Sequence, residues 1–275
     1  MFRKITIIGV GLIGGSLALA IKKRKLADEV WGFFRRESSR KLAERKKIVD
    51  KGTRDLKRAL SSSDFVILAT PVSTIISLAQ EMRRMLPPGV LVTDVGSTKV
   101  KIVNALQKLF PKYVGSHPLA GSEKRGCNHA VSELFENKIT IITPTSRSDK
   151  SSVTAVRRFW KHLGCKVISM SPSSHDRILS QISHLPHIAV FGLLNAVNDD
   201  CLKYATSGFL DTTRIGASDA GLWLEIFKNN KYNLLRDVNK YITWLYRYRR
   251  LLQKNDFKNL LKYIQQASEK RRSLR

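Results

Sequence analysis

The sequence predicts an α/β protein in which a doubly wound, mostly parallel sheet is followed by an all-helical second domain. Short Val/Ile-rich runs alternate with amphipathic stretches as far as about residue 170, a pattern typical of βαβ units. From residue 175 onward almost every segment has apolar residues at helical spacing. We place the domain boundary near Pro172, which gives a dinucleotide-binding domain at 1–172 and a helical domain at 173–275.

The strand and helix patterns can be placed in order along the chain. Strands are predicted at 4–8, 30–34, 65–69, 90–94, 113–115, 139–143 and 166–170, and helices at 74–86, 98–110, 151–163, 222–228, 232–253 and 257–266. Ser173 or Ser174 is expected to cap the first helix of the second domain, with Asp176 in its first turn. Pro186 should kink that helix. Residues 205–216, rich in small and polar side chains, are predicted as a loop.

The composition limits where the protein works and what it binds. No apolar run reaches the roughly 18 residues of a membrane span, and the first residues lead directly into a strand, so we expect neither a span nor a leader. Three widely separated cysteines suit a reducing cytoplasm. The net charge of +27 favours anionic ligands. Because the basic residues are spread over the whole chain, specific nucleic-acid binding is not expected.

A glycine-rich turn follows the first predicted strand and opens a helix. Gly9, Gly11 and Gly14 form the pattern G-x-G-x-x-G. In a Rossmann-type unit the first glycine allows the tight turn, the second lets a pyrophosphate approach, and the third lets helix and strand pack closely. The helix N-terminus, including Leu12 and Ile13, then offers N–H groups to the phosphates. This predicts a dinucleotide site.

This turn has two other interpretations. One is a tight strand–helix turn that binds no ligand. The other is a nucleoside-triphosphatase loop, for which Gly9 and Gly14 have the spacing and Ser16 the hydroxyl. That loop requires a lysine where Gly15 stands, so the residue that contacts the terminal phosphates is missing.

The end of the second strand distinguishes NAD from NADP. NAD-binding proteins commonly place an acidic residue there to bind the ribose 2′-hydroxyl. Here Phe34 takes that position, and Arg35 and Arg36 follow, with Ser38 and Ser39 as possible hydrogen-bond donors. The pattern favours a 2′-phosphate and therefore NADP over NAD. The alternative is a pair of solvated arginines at the start of a helix.

Polar side chains follow several later strands, where loops converge on the nicotinamide end of a bound cofactor. Thr70, Pro71 and Asp94 are predicted cofactor contacts. His117 is the candidate for proton transfer, because its pKa can be set near neutrality. Ser97 could orient a substrate hydroxyl. On its own, His117 would more often be a structural loop histidine.

The helical half adds further candidates. His184 and His187 are three residues apart and share one face of a helix. Without an acidic or cysteine partner they make a poor metal site, so no metal is predicted. Arg214 is a candidate for gripping a substrate carboxylate with its guanidinium, although a surface or structural arginine is the alternative. We expect His117 and Arg214 to face one cavity from the two halves.

The combined motifs resemble the prephenate/arogenate dehydrogenase family of tyrosine biosynthesis, from about residue 4 to residue 266. The motifs stand in the family's order: "GVGLIGGSLA", "ATPV", "VTDVGSTK", "GSHPLAGSEKRG", "HDRILSQISHLPH", "GFLDTTRIG" and "LWLEIFKNN". The pair "HPLAG" and "SHLPH" is specific to the family. One departure is Leu210, where the family usually has a basic residue.

The resemblance implies an NAD(P)-dependent oxidation of a cyclohexadienol with loss of carbon dioxide, giving 4-hydroxyphenylpyruvate or tyrosine. It implies that His117 accepts the hydroxyl proton, that Ser97 positions this hydroxyl, and that Arg214 binds a carboxylate. The helical half is implied to form a homodimer, and the second-strand pattern fits the branch that prefers NADP. The remaining implied substrate-pocket residues are His187, His184, Glu123 and Asp211.

Two alternative functions stand beside this interpretation. One is another hydroxyacid dehydrogenase or imine reductase of the same two-part build, although such enzymes commonly use a lysine on the first long helix of the second domain and none occurs at 175–198. The other is a non-enzymatic basic nucleotide or nucleic-acid binder. The residues leave prephenate and arogenate undistinguished.

Overall fold

The computed structural model describes residues 2–121, 124 and 126–274. The described residues form two compact units, which divide between Asn230 and Lys231. The predicted domain boundary near Pro172 is not tested by this division and stays a prediction. The first unit contains the sheet and the helices that surround it.

The first unit is built on one eight-stranded sheet with the order β3-β2-β1-β4-β5-β6-β7-β8. All neighbouring strands are parallel except β6 and β7, which are antiparallel. This confirms the doubly wound, mostly parallel sheet. The strands are β1 (Phe2–Ile8), β2 (Ala27–Phe33), β3 (Lys51–Thr53), β4 (Phe65–Leu68), β5 (Leu91–Asp94), β6 (Tyr113–Pro118), β7 (Ile139–Thr143) and β8 (Lys166–Ser169).

Helices cover both faces of the sheet. Successive side chains of a central strand point to opposite faces, so a strand that is apolar throughout needs a cover on each face. Ile5 and Ile7 of β1 belong to one apolar core, and Ile8 belongs to the core on the other face. The helices of this unit are α1 (Leu12–Lys23), α2 (Glu37–Arg45), α3 (Leu56–Leu60), α4 (Val72–Met82), α5 (Val100–Leu106), α6 (Lys150–His162), α7 (Pro172–Leu179), α8 (Leu185–Ala196), α9 (Asp199–Leu202), α10 (Ser207–Thr213) and α11 (Ala220–Asn229).

Sequence patterns failed at three places in this unit. Strand β3 was not predicted, because "KGT" is too short to show alternation. The predicted N-cap at Ser173 or Ser174 is wrong: Ser171 caps α7 by accepting the Ser174 N–H at 3.1 Å. Pro172 takes the first helical position, where a missing N–H costs nothing.

The predicted loop at 205–216 is also wrong. The segment forms α10 followed by a 3₁₀ turn, Arg214–Ala217. Two threonines that indicated a loop are accommodated in the helix, since the hydroxyls of Thr212 and Thr213 donate to the carbonyls of Gly208 and Phe209 at 2.8 and 2.7 Å. A threonine hydroxyl that donates to a carbonyl of the preceding turn has its hydrogen bond within the helix, so the threonine does not end the helix.

Pro186 lies at the start of α8, directly after a π-helical segment, Ser180–His184. Proline lacks the N–H that an α-helix needs in its interior, and single π turns occur mostly at functional sites. The π segment therefore lets one continuous helical stretch pass from α7 into α8 and accommodate the proline at the boundary.

The second unit is a pair of helices, α12 (Lys231–Gln253) and α13 (Phe257–Arg272). Asp256 caps α13 by accepting the Asn259 N–H at 3.2 Å. Trp244 and Tyr263 join the two helices edge to face, with ring centroids 5.4 Å apart. Within the described residues, no helix combines the length and apolar character that crossing a membrane requires.

Candidate active site

The glycine turn between β1 and α1 has the shape that a dinucleotide requires. Gly9 has a φ of +95°, and a Cβ on Gly14 would lie 2.1 Å from the Gly9 carbonyl oxygen. A Cβ on Gly11 would meet no described heavy atom within 4 Å, so this glycine faces open space. Gly9 and Gly14 are therefore required by the fold, whereas Gly11 keeps the approach to the helix open for a phosphate group.

Leu12 and Ile13 form the first turn of α1, and no described side chain caps this helix end. Its first N–H groups therefore remain available to an anion. Thr70 follows β4 beside Gly9, and its buried hydroxyl has no hydrogen-bond partner among the described residues. An orphaned buried hydroxyl at this position fits a bound polar ligand. These residues fit a nicotinamide dinucleotide.

The residues after β2 lie beside the end of β3. Phe34 is 4% exposed and packs against Gly32 and Gly52, so the position often held by an acidic residue is part of the core. Arg35 and Arg36 are exposed and precede α2. Within α2, Ser38 is exposed and Ser39 is partly buried.

A cavity of about 700 Å³ opens at the carboxyl ends of the parallel strands. His117 and Ser97 contribute to its wall from β6 and from the loop after β5, and Arg214 from the turn after α10. Other residues lining it include Pro71, Lys124, His184, His187, Trp223 and Ile226. The structure thus places His117 and Arg214, which are 97 residues apart in sequence, on the wall of the same cavity.

His117 is the first member of a hydrogen-bonded chain. Its Nδ1 lies 2.8 Å from Nε2 of His175, and Nδ1 of His175 lies 2.9 Å from a carboxylate oxygen of Asp176. The Asp176 carboxylate also accepts the backbone N–H groups of Lys99 and Val100 at 2.7 and 2.9 Å. Asp176 is therefore fixed by the N-terminus of α5, and it fixes His175 in turn.

The environment keeps both histidines of this chain neutral. Desolvation lowers the pKa of His117 well below its usual value, and repulsion from His175 when it is protonated, from Lys99, and from His184 when it is protonated lowers it further. Burial is also the main cause that lowers the pKa of His175. A neutral His175 beside a carboxylate places its proton on Nδ1 and accepts at Nε2. His117 must then donate from Nδ1, which leaves its Nε2 as a proton acceptor.

Asp94, which was predicted as a cofactor contact, is buried and does not line the cavity. Its fully buried carboxylate pairs with the fully buried Lys99 ammonium and accepts the Tyr113 hydroxyl at 2.7 Å and the Gly96 N–H at 2.8 Å. Lys99 also donates to the Ser116 carbonyl at 2.8 Å. These partners enclose the carboxylate, so in this arrangement its oxygens do not reach a cofactor, and the predicted cofactor role of Asp94 stays a prediction. The pair instead connects the ends of β5 and β6.

His184 and His187 both line the cavity, and each has its own support. His187 stacks on Trp223 with ring centroids 3.4 Å apart, and its Nδ1 lies 2.9 Å from the Ser183 carbonyl. His184 is 1% exposed and lies 3.1 Å from the side-chain amide of Asn230. Burial lowers the pKa of both histidines, that of His184 to about 4.

Two neighbouring positions of α10 do not contribute to the described wall. Asp211 is exposed on α10 and is not among the residues that line the cavity, so its predicted pocket role does not fit this arrangement. Leu210 beside it is 57% exposed. Glu123 lies outside the described residues. No group of three His, Cys, Asp or Glu side chains within 2–121, 124 and 126–274 is placed to hold a metal.

Sequence reasoning did not assign Asp176, Lys99 or Trp223 to the site, and it gave His175 no role in proton transfer. The dipeptide "HD" at 175–176 opens the motif "HDRILSQISHLPH". A histidine followed by an acidic residue at the start of a helix was the available signal. It became meaningful only when His117, 58 residues earlier, was placed against it.

The glycine turn and the neighbouring cavity define the class of protein: a nicotinamide-dinucleotide-dependent oxidoreductase built on a Rossmann-type sheet. Two family profiles match the chain. "Prephenate dehydrogenase, nucleotide-binding domain" covers residues 17–169, and "Prephenate dehydrogenase, dimerization domain" covers residues 171–266. The chain therefore belongs to the prephenate dehydrogenase family, which confirms the resemblance.

Individual relatives agree with this assignment. A prephenate dehydrogenase of Bacillus subtilis (strain 168) is 32% identical over 98% of this chain and 76% of its own length. A cyclohexadienyl dehydrogenase of Zymomonas mobilis is 31% identical over 100% of this chain and 97% of its own. The structure of A. aeolicus prephenate dehydrogenase in complex with hydroxyphenyl propionate and NAD+ matches with a TM-score of 0.94 and 32% identity, over 100% of this chain and 99% of that chain. These comparisons favour neither alternative function.

Proposed function

We propose that this chain catalyses the oxidative decarboxylation of prephenate or arogenate with NAD(P), giving 4-hydroxyphenylpyruvate or tyrosine. The observation that supports it most is the hydrogen-bonded chain from Asp176 through His175 to His117, which ends at the cavity that Arg214 also lines. A cyclohexadienol that carries a carboxylate requires a base for its hydroxyl proton and a cation for the carboxylate, and both must lie on one cavity.

His117 is the proposed base. Its Nε2 accepts the proton of the substrate hydroxyl as the ring carbon that bears it is oxidised. The resulting positive charge is delocalised over an imidazole whose Nδ1 donates to His175, and His175 is in turn oriented by Asp176. This is the arrangement in which a buried carboxylate stabilises an imidazolium that forms during the reaction.

Arg214 and Ser97 are proposed to position the substrate. The Arg214 guanidinium pairs with a substrate carboxylate in a bidentate manner. Ser97, on the same cavity as His117, donates to or accepts from the reacting hydroxyl and keeps it close to the imidazole. Trp223 holds His187 in place by stacking, so that His187 presents a fixed edge to the ring of the substrate.

The cofactor is proposed to lie along the glycine turn, with Gly11 and the first turn of α1 at its phosphates and Thr70 and Pro71 nearer the cavity. When bound, NAD(P) supplies the hydride acceptor for the reaction. We propose NADP as the preferred form. The exposed guanidinium groups of Arg35 and Arg36 support this preference, since a carboxylate for the 2′-hydroxyl is missing after β2.

The test crosses prephenate and arogenate against NAD and NADP in steady-state kinetics, with reduced nicotinamide and carbon dioxide both measured. With at least one of the two substrates, the wild type should form reduced nicotinamide and carbon dioxide in equal amounts. His117→Asn should lower kcat by about two to four orders of magnitude while leaving cofactor affinity nearly unchanged. His162→Asn, on the exposed end of α6, is the matched control. Near-normal turnover in His117→Asn would remove this residue from its proposed role.

We also propose that the chain forms a homodimer through its helical part. The profile that covers residues 171–266 is described as a dimerization domain. Large apolar side chains on the second unit are exposed, among them Leu235, Ile242, Leu245 and Tyr246. Light scattering after size exclusion should give about twice the mass of one chain, whereas a monomer at micromolar concentration would contradict the proposal.

A further inference from the structure

Three exposed arginines meet where β2 and β3 end. Arg35 and Arg36 follow β2, and Arg54 is the first residue after β3. The two strands are paired in register at Phe33 and Thr53, and the Phe34 N–H donates to the Thr53 carbonyl at 2.9 Å. Arg54 therefore leaves the sheet directly beside the residues that precede α2, although it lies 18 or 19 positions from them in sequence.

The carboxylates of this region already have partners. Glu37 accepts two hydrogen bonds from Arg40, at 2.9 and 2.5 Å. Glu44 accepts from Arg40 at 2.6 Å and from the Gly52 N–H at 2.8 Å. Asp55 caps α3 by accepting the backbone N–H of the third residue after it at 3.1 Å. These bonds neutralise Arg40 and leave little negative charge for other cations.

The positive charges of the three arginines are therefore not balanced by these carboxylates. Within the described part of the chain, Arg35, Arg36 and Arg54 make no ion pair with a carboxylate. The charge of Arg54 reaches the first turn of α2: it is one of the causes that lower the pKa of Glu37, after the hydrogen bond and charge of Arg40 and the charge of Lys41. Three guanidinium groups carried at two adjacent strand ends supply the positive charge and the N–H donors that bind a phosphate monoester.

We infer that Arg54 is a specificity-determining residue, which binds the 2′-phosphate of NADP together with Arg35 and Arg36 and discriminates against NAD. This rests on the cofactor preference under the proposed function. The fold places the adenosine ribose at the end of the second strand, and Phe34 fills the position from which an acidic side chain would repel a phosphate. Arg54 reaches the same point from the neighbouring strand, where no dinucleotide fingerprint would identify it.

Calorimetric titration of the full-length protein with NADP and with NAD tests the inference without depending on turnover. Arg54→Ala should weaken NADP binding at least about five-fold, the scale of one partly exposed charge-assisted contact, and leave the Kd for NAD within about two-fold. Arg54→Lys should retain part of the NADP affinity, because it keeps the charge and loses the planar guanidinium. Arg45→Ala, exposed at the other end of α2, is the matched control.

The outcomes separate this inference from the proposal on which it rests. If Arg35→Ala and Arg36→Ala weaken NADP binding selectively and Arg54→Ala does not, the NADP preference stands and the role of Arg54 is overturned. An equal loss of NADP and NAD affinity in Arg54→Ala also overturns it, since that result indicates a structural effect. A wild type that binds NAD more tightly than NADP contradicts the cofactor preference itself, and this inference with it.

Discussion

The connection between His117 and His175 can be tested by removing His175. In His175→Asn the 2.8 Å bond to Nδ1 of His117 is lost, and with it the link to Asp176. His117 is then free to carry its proton on Nε2, where the proposed mechanism needs a lone pair. The substitution leaves every residue that lines the cavity in place, because His175 is fully buried behind His117.

The size of the effect follows from the change in this bond during the reaction. Before proton transfer it joins two neutral rings, and such a bond contributes about 1 kcal/mol. Once His117 has gained a proton the bond is charge-assisted, and bonds to charged groups contribute about 1.5–3 kcal/mol. The value of kcat depends on the difference between the two contributions, about 0.5–2 kcal/mol, so the loss of the bond lowers kcat by about 2- to 30-fold. Losses of about 10- to 100-fold are common when a residue that orients a metal-binding side chain is replaced.

The assay is steady-state formation of reduced nicotinamide at saturating substrate and cofactor, followed by a pH profile. The KM for the cofactor should stay within about two-fold, since His175 does not contact the glycine turn. The acid limb of the kcat profile should move to lower pH, because the lost hydrogen bond stabilises the protonated form of His117 and so raises its pKa. A folded variant with kcat within two-fold of wild type and an unmoved acid limb would refute this reasoning.

Three further predictions concern the stability of the fold. His184 has its pKa lowered to about 4 in the folded protein, so it favours folding above about pH 6.5 and this contribution is lost as pH falls toward 4. The loss is about 2 kcal/mol at pH 5, and urea unfolding at pH 7 and pH 5 should show a smaller difference in His184→Gln than in wild type. Lys99→Met should destabilise the protein by about 3–5 kcal/mol at neutral pH, because it leaves the Asp94 carboxylate buried without its cation; a loss below about 1 kcal/mol in urea unfolding would contradict this. Glu225 accepts the Ser73 N–H and hydroxyl at 3.2 and 2.7 Å and so caps α4 from α11. Glu225→Ala should therefore lower the free energy of unfolding by about 0.5–2 kcal/mol in thermal unfolding. Glu225→Gln should lose less stability than Glu225→Ala.

Local patterns were sufficient for most of the sheet and for part of the site. The glycine turn was predictable because φ values and close backbone approach restrict Gly9 and Gly14 to glycine. His117 could be selected because a polar residue at a strand end points to the edge where ligands bind. The loop prediction at 205–216 failed for the opposite reason: composition indicated a loop, whereas threonine hydroxyls found acceptors inside a helix.

The sequence alone determined that this protein has a dinucleotide-binding sheet, a helical second part, and a histidine and an arginine suited to an acidic substrate, because periodicity and motif spacing are local properties. Only the tertiary structure decided that His175 and Asp176 orient His117, that Lys99 encloses Asp94, and that Arg54 stands beside the residues after β2. Each of these depends on which distant strands and helices become neighbours. That choice is made by the burial of whole apolar faces, which no single stretch of sequence contains.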